Sequence, residues 1–227
     1  MTKRSQRNVR ADICQFDVAT WFDAVRFWEE RVEPRNRYCL EVGGGAGGVS
    51  LWLALKGGTV VCSDLSGTKQ RASALHMKYG VSEYIVYRDI DALAIPFENE
   101  FDIVVFKSVL GALRTKDRQA VAVKGMYKAL KPGGSLIFAE NLKGTAIHRY
   151  LRSKFRRWGS RWRYVSLDEI GEFLGGFTSV ELRTTGVLSV FGLNETVRTG
   201  LSIVDRIVLN HLCPARWKYL VYGIATK

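Results

Sequence analysis

Glu41-Val42-Gly43-Gly44-Gly45-Ala46-Gly47-Gly48 sets a carboxylate two residues ahead of a run of glycines. Glycines at that density let a backbone turn tightly and approach a ligand closely. Gly43, Gly45 and Gly48 also fit the G-x-G-x-x-G spacing of dinucleotide sites, so the glycines alone do not name a ligand. Glu41 separates the readings, because a carboxylate there would repel a pyrophosphate held at the following helix N-terminus. It suits a ligand that is cationic at that point. Asp64 follows Gly43 by about 20 residues, the spacing at which an acid meets ribose hydroxyls. S-adenosylmethionine carries an ammonium, a sulfonium and a ribose, and no phosphate, and is the cofactor these residues predict.

The elements around these residues form strand, glycine loop, helix, strand. Tyr38-Cys39-Leu40 is a short apolar run, and Val49-Ser50-Leu51-Trp52-Leu53-Ala54-Leu55 is apolar enough for a buried helix. Further along, the pattern predicts helix 49–56, strand 59–64, helix 68–79, strand 84–87, strand 101–106, helix 117–130 and strand 135–140. Alternation of this kind implies a parallel sheet covered on both faces.

With those residues in place, the chain resembles the class I S-adenosylmethionine-dependent methyltransferases, and among them the type 11-like methyltransferase domains. Glu41, Gly43, Gly45 and Gly47 match their (E/D)-x-G-x-G-x-G motif. Asp89-Ile90 matches the acid and neighbour set against adenine. Ile95-Pro96-Phe97 with Phe101-Asp102-Ile103-Val104-Val105, and Leu130-Lys131-Pro132-Gly133-Gly134, match the entries to strands four and five. The resemblance implies an α/β, Rossmann-like doubly wound sheet of seven strands, mostly parallel with an antiparallel last strand. Residues 178–184 and 219–225 are then strands six and seven. It implies a cofactor site of Glu41, Gly43, Gly45, Gly47, Asp64, Leu65, Asp89, Ile90 and Lys107. For Asp89 a turn-capping role stands beside the adenine role, with Asp91 as the rival adenine ligand. Lys107, Ser108, Glu140 and Asn141 sit at strand ends where open sheets hold ligands, and capping or sheet-edge hydrogen bonds are the plainer role for each.

At 227 residues and 47% hydrophobic content the chain suits one domain, 1–227, with residues 1–36 as an N-terminal helical cap and 143–176 as a basic insertion on the acceptor side. Residues 1–12 are polar and basic and are expected to fray. Apolar positions over 16–32 recur at helical spacing, and such a helix covers either the cofactor or the sheet. The scattered Cys14, Cys39, Cys62 and Cys213 predict reduced thiols and no metal site. No apolar run is long enough to cross a membrane and the start lacks a secretory pattern, so the expected location is cytoplasmic, peripheral to the inner membrane face if anchored.

A net charge of +12 points to an anionic partner: acceptor, membrane or nucleic acid. Its sharpest concentration is 143–165, where Lys143, Arg149, Arg152, Lys154, Arg156, Arg157, Arg161 and Arg163 alternate with Tyr150, Phe155, Trp158, Trp162 and Tyr164. A solvated helix face is the bland reading of that segment. Ser166 with Glu169 reads as a capping box that ends it. A later stretch, 186–212, sets Leu201, Val204, Ile207, Val208 and Leu212 on one helical face, with Asp205, Arg206 and Asn210 elsewhere.

Methyl transfer needs an aligned acceptor and, for a hydroxyl, a proton acceptor. His148, just past strand five, is the candidate base, with a plain surface or hydrogen-bonding histidine as its alternative. Three acceptor classes compete. A small molecule or lipid-linked glycan, through a hydroxyl, is favoured by a looser resemblance of 146–169 and 216–225 to bacterial methyltransferases of polysaccharide and cell-envelope glycan assembly. RNA is the runner-up, favoured by arginine–aromatic interleaving. Against it, strand four ends Phe106-Lys107-Ser108-Val109-Leu110, without the Asn/Asp-Pro-Pro-Tyr of base-amine enzymes. A protein that keeps the cofactor without catalysis is the third.

Overall fold

The computed structural model describes residues 3–155 and 162–227; Arg156, Arg157, Trp158 and Arg161 of the basic insertion lie outside the described residues. Seven strands form one sheet: β1 (Tyr38–Val42), β2 (Thr59–Asp64), β3 (Ile85–Asp89), β4 (Phe101–Lys107), β5 (Leu130–Asn141), β6 (Ser179–Thr185) and β7 (Leu220–Thr226). Their order is β3-β2-β1-β4-β5-β7-β6. The first five run parallel, and β7 pairs antiparallel with β5 and β6. This is the doubly wound, mostly parallel sheet that the alternation predicts.

The central strands are apolar on both faces because helices cover both, as parallel sheets require. On one face, α1 (Lys3–Cys14), α2 (Val18–Glu29), α3 (Gly48–Leu55) and α4 (Thr68–Lys78) close a core that includes Trp21, Trp28 and Trp52. Trp28 and Trp52 lie 5.8 Å apart, and the Trp28 indole donates to the Gly223 carbonyl at 3.2 Å. On the other, α5 (Lys116–Ala129), through Met126, and α7 (Leu167–Phe173) cover Phe101, Phe106 and Phe138. Helix α6 (Ala146–Phe155) follows β5. The Ser166–Glu169 capping box forms in full at the start of α7.

Three expectations need correction. Residues 1–12 are expected to fray, yet residues 3–14 form α1. The chain is polar there, but Val9, Ile13 and Cys14 recur on one side and pack into the core. The element expected over 16–32 is shorter, because Gln15 and Asp17 take left-handed backbone (φ 68° and 43°) and break α1 from α2. Strand β5 begins at Leu130 rather than at 135, since Leu130 pairs with Phe101 across a register shift.

Strand order reverses between β1 and β4, so the carboxyl ends of those strands diverge and leave a crevice. The glycine loop leaves β1 there, and Lys107-Ser108 leaves β4 beside it.

Candidate active site

The glycine loop opens into a cavity of about 270 Å³ at that crevice. Its floor is Glu41, Gly43, Gly44 and Gly45; Lys107, Ser108 and Asn141 come from the ends of β4 and β5. Gln15 and Phe16 lean in from the α1–α2 corner, and Trp162 and Tyr164 complete the lining.

Gly43, Gly45 and Gly47 all have left-handed backbone, φ 69°, 56° and 78°. A side chain on Gly45 would stand in open cavity, its nearest neighbour Gln15 Oε1 at 4.0 Å, so the absent Cβ leaves a backbone cradle for a ligand. The loop is held by Asp64, whose Oδ2 accepts from the Gly45 amide at 2.8 Å. Asp64 Oδ1 accepts from the Leu65 amide at 2.7 Å and pairs with Arg71 at 3.1 Å. Leu65 is exposed.

Glu41 is buried beneath the loop. One of its oxygens accepts from the Ser50 amide at 2.8 Å and the Ser50 hydroxyl at 2.5 Å. Burial pushes its pKa up to about 7, partly offset by those donors. A cation brought alongside would favour the ionised form. Lys107 donates to the Cys14 carbonyl at 3.0 Å and lies over the Phe16 and Trp21 rings at 4.5 and 5.1 Å, so it ties the α1–α2 corner down over the cavity. Burial pulls its pKa below the ordinary lysine value.

Asp89 and Ile90 stand farther along the edge, at the end of β3. Both Asp89 oxygens are engaged at the start of α4: Oδ1 accepts from the Thr68 amide and hydroxyl (2.9 and 2.7 Å), and Oδ2 from the Gly67 amide (3.1 Å). The Thr68 donors hold the Asp89 carboxyl below its usual pKa. The Ile90 amide donates to the Asp64 carbonyl at 2.8 Å. Asp91 is exposed and caps its own turn through the Leu93 amide.

Glu140 is a structural carboxylate. It accepts from the Val109 and Leu110 amides at 2.8 and 2.7 Å and from Asn141 at 2.8 Å, and burial pushes its pKa up to about 7. It fixes the turn after β4, where Ser108 is left-handed (φ 58°) and its hydroxyl accepts from the Asn141 amide group at 2.9 Å. His148 does not line the cavity. It is 1% exposed; its Nδ1 accepts from the Thr145 amide at 3.1 Å, its Nε2 donates to the Val187 carbonyl at 2.8 Å, and its ring stacks on Phe191.

The end of the basic insertion delivers the aromatic wall. The Arg163 amide donates to the Gly111 carbonyl at 2.9 Å, and the Arg163 guanidinium reaches Gln119 and Glu169, the latter at 2.5 Å. Burial works upward on Glu169, but Arg163, the Ser166 amide and Lys143 overcome it and hold the carboxyl at about 2. The Trp162 indole then packs against Gly111, which has no room for a Cβ. Sequence reasoning missed Gln15 and Phe16. Their signal is the left-handed corner before α2, which side-chain periodicity does not show.

Residues 40–138 match the family of methyltransferase domains. A ubiquinone biosynthesis O-methyltransferase of Pseudomonas putida is 30% identical over 149 residues, which cover 57% of this chain and 62% of that protein. The chain thus spans under two thirds of the length of that curated relative. Among solved structures, phosphoethanolamine N-methyltransferase 2 of Haemonchus contortus in complex with S-adenosyl-L-methionine superposes with a TM-score of 0.64 at 19% identity, over 91% of this chain and 52% of that one. The N-methyltransferase NodS of Bradyrhizobium japonicum in complex with S-adenosyl-L-homocysteine gives 0.60 at 18%, over 91% and 84%. Identities this low speak for the shared fold.

Proposed function

We propose that the protein is an S-adenosylmethionine-dependent methyltransferase acting on a hydroxyl of a small molecule or lipid-linked glycan. The observation that carries this reading is the loop itself: left-handed glycines bared to a cavity, a buried carboxylate beneath them and Asp64 bracing the Gly45 amide. The methyltransferase-domain match over 40–138 supports the same reading. The Pseudomonas relative, named for O-methylation in ubiquinone biosynthesis, supports an oxygen acceptor.

The cofactor, when bound, supplies a methyl group on a cationic sulfur that is already strongly electrophilic. Glu41 offers charge to the ammonium end, Gly43 and Gly45 the close backbone, and Asp64 with Leu65 the ribose side. Asp89 and Ile90 border the adenine side. Phe16, Trp162 and Tyr164 exclude water and align the acceptor, which is the protein's chief task in an in-line displacement. Ser108 and Asn141 present the polar groups nearest an acceptor hydroxyl. His148, with both ring nitrogens engaged away from the cavity, is assigned no proton transfer. The aromatic wall suits a sugar or another flat acceptor. The net charge of +12 suits an anionic one, reached in the cytoplasm at the inner membrane face.

The test is incubation with methyl-labelled cofactor and separate pools of phenols, lipid-linked glycans and structured RNA. Label in a hydroxyl of the first two supports the reading. Label in RNA alone, or no cofactor binding by calorimetry, overturns it.

A further inference from the structure

The link from β6 to β7 folds with its polar side inward. Helix α8 (Glu195–Val204) runs through a π-helical turn, Asp205–Leu209, into α9 (Asn210–Leu212). Asp205 is buried and accepts from the Leu188 and Ser189 amides at 2.8 and 2.9 Å and from the Ser189 hydroxyl at 2.7 Å. Arg206 pairs with Asp23 at 2.9 Å, and Asn210 accepts from the Gly186 amide at 3.1 Å. These bonds fix which side faces the protein, since turning the helix over would strand a buried carboxylate.

The apolar stripe, which a surface helix ordinarily buries, therefore faces out. Leu193 is 94% exposed, Ile207 69% and Leu212 75%, with Ile203, Val204 and Trp217 also exposed. Only two acids occur over 193–217: Asp205, buried as described, and Glu195, which is exposed but engaged by the Asp17 and Val18 amides at the start of α2 (3.0 and 3.1 Å) and by Arg198 (2.8 Å). Arg216 is exposed at the end of the stripe and Arg149 on α6. The outward face is thus apolar, with Arg216 exposed at its end.

We propose that this face docks on an anionic lipid bilayer. Apolar side chains with flanking cations and a tryptophan at the margin are what an interfacial helix presents to such a surface. A second copy of the chain would bring another +12 charge against it and is disfavoured. Among the described residues no helix is long and apolar enough to cross a membrane, so contact is lateral. Glu195 ties the start of α8 to the start of α2, next to Phe16, which lines the cavity. The proposal rests on the lipid-linked acceptor reading and specifies how that acceptor is reached.

Co-sedimentation with vesicles of phosphatidylglycerol and phosphatidylcholine, against phosphatidylcholine alone, tests it. The protein should favour the anionic vesicles, and Leu193→Glu, Ile207→Glu, Leu212→Glu together should weaken that binding by at least about tenfold with the affinity for S-adenosylmethionine unchanged. Leu193→Glu alone should act in the same direction. Wild-type protein that ignores anionic vesicles, or a triple variant that binds them as wild type does, overturns the proposal. So does a dimer that the triple variant disperses without any vesicle binding. Vesicle binding lost in the triple variant, in a protein that binds no S-adenosylmethionine, would keep the docking surface and sink the methyltransferase reading instead.

Discussion

Asp64 is the residue that braces the glycine loop, since its carboxylate holds the Gly45 and Leu65 amides and meets Arg71. Asp64→Ala should weaken S-adenosylmethionine binding by more than about tenfold, by removing charge-assisted hydrogen bonds, while the circular dichroism stays native. Calorimetry reads this directly; unchanged affinity would remove Asp64 from the site. Gly45→Val should abolish binding for a different reason. The cavity has space for the side chain, but at φ 56° a β-branched residue is a backbone outlier, and its methyls would fill the cradle. A Gly45→Val protein that binds normally would show that the cradle is not the cofactor's. Both residues were legible from spacing alone, because glycine after a strand and acid after the next strand report backbone geometry that few folds share. Asp89 was less so. A carboxylate at a strand end serves a helix cap or an adenine equally well, and only coordinates show Gly67 and Thr68 donating to it.

Helix α1 is the element the sequence concealed. It is mostly polar, and what holds it is its last turn, where the Ile13 and Asp12 carbonyls lie against Gly48 and the Asp12 side chain meets Lys78 and the Tyr79 hydroxyl at 2.6 and 2.7 Å. A Cβ on Gly48 would stand 2.3 Å from the Ile13 carbonyl oxygen. Gly48→Ala should therefore undock α1 and cost about 1–3 kcal/mol as an overpacked contact, although alanine is the better helix former. Limited proteolysis should cut within 3–14 faster in the variant; equal protection would mean that α1 is held elsewhere. The strands and long helices were legible because their apolar periodicity is their reason for existing. The link 186–217 was legible only as a stripe, since which side of an amphipathic helix faces the core depends on whether buried partners wait for its polar residues. Here Leu188, Ser189, Asp23 and Gly186 supply them.

For the whole molecule, the buried carboxyls set the response to pH. Burial raises Glu41 and Glu140 to about 7. A carboxyl raised in this way binds its proton more tightly folded than unfolded, so it favours the native state at low pH and withdraws that support as pH rises through its folded pKa. Glu169, held at about 2, works in the opposite sense, but its contribution is complete above its unfolded value and constant near neutrality. His76, lowered by burial, costs stability only as pH falls through the ordinary histidine range. Between the upper edge of that range and mildly alkaline pH, Glu41 and Glu140 therefore dominate, each contributing about 1 kcal/mol of loss. The ligand-free protein should melt at lower temperature at pH near 8 than near 6.5. Glu140→Gln removes one of the two titrating groups while leaving an oxygen for the Val109–Leu110 turn, so it should reduce that slope by about half even if it lowers the melting temperature throughout. A slope untouched by Glu140→Gln would mean that the pH response comes from elsewhere in the molecule. Saturating S-adenosylmethionine should flatten it too, because an ammonium beside Glu41 stabilises the ionised form and removes the second contribution.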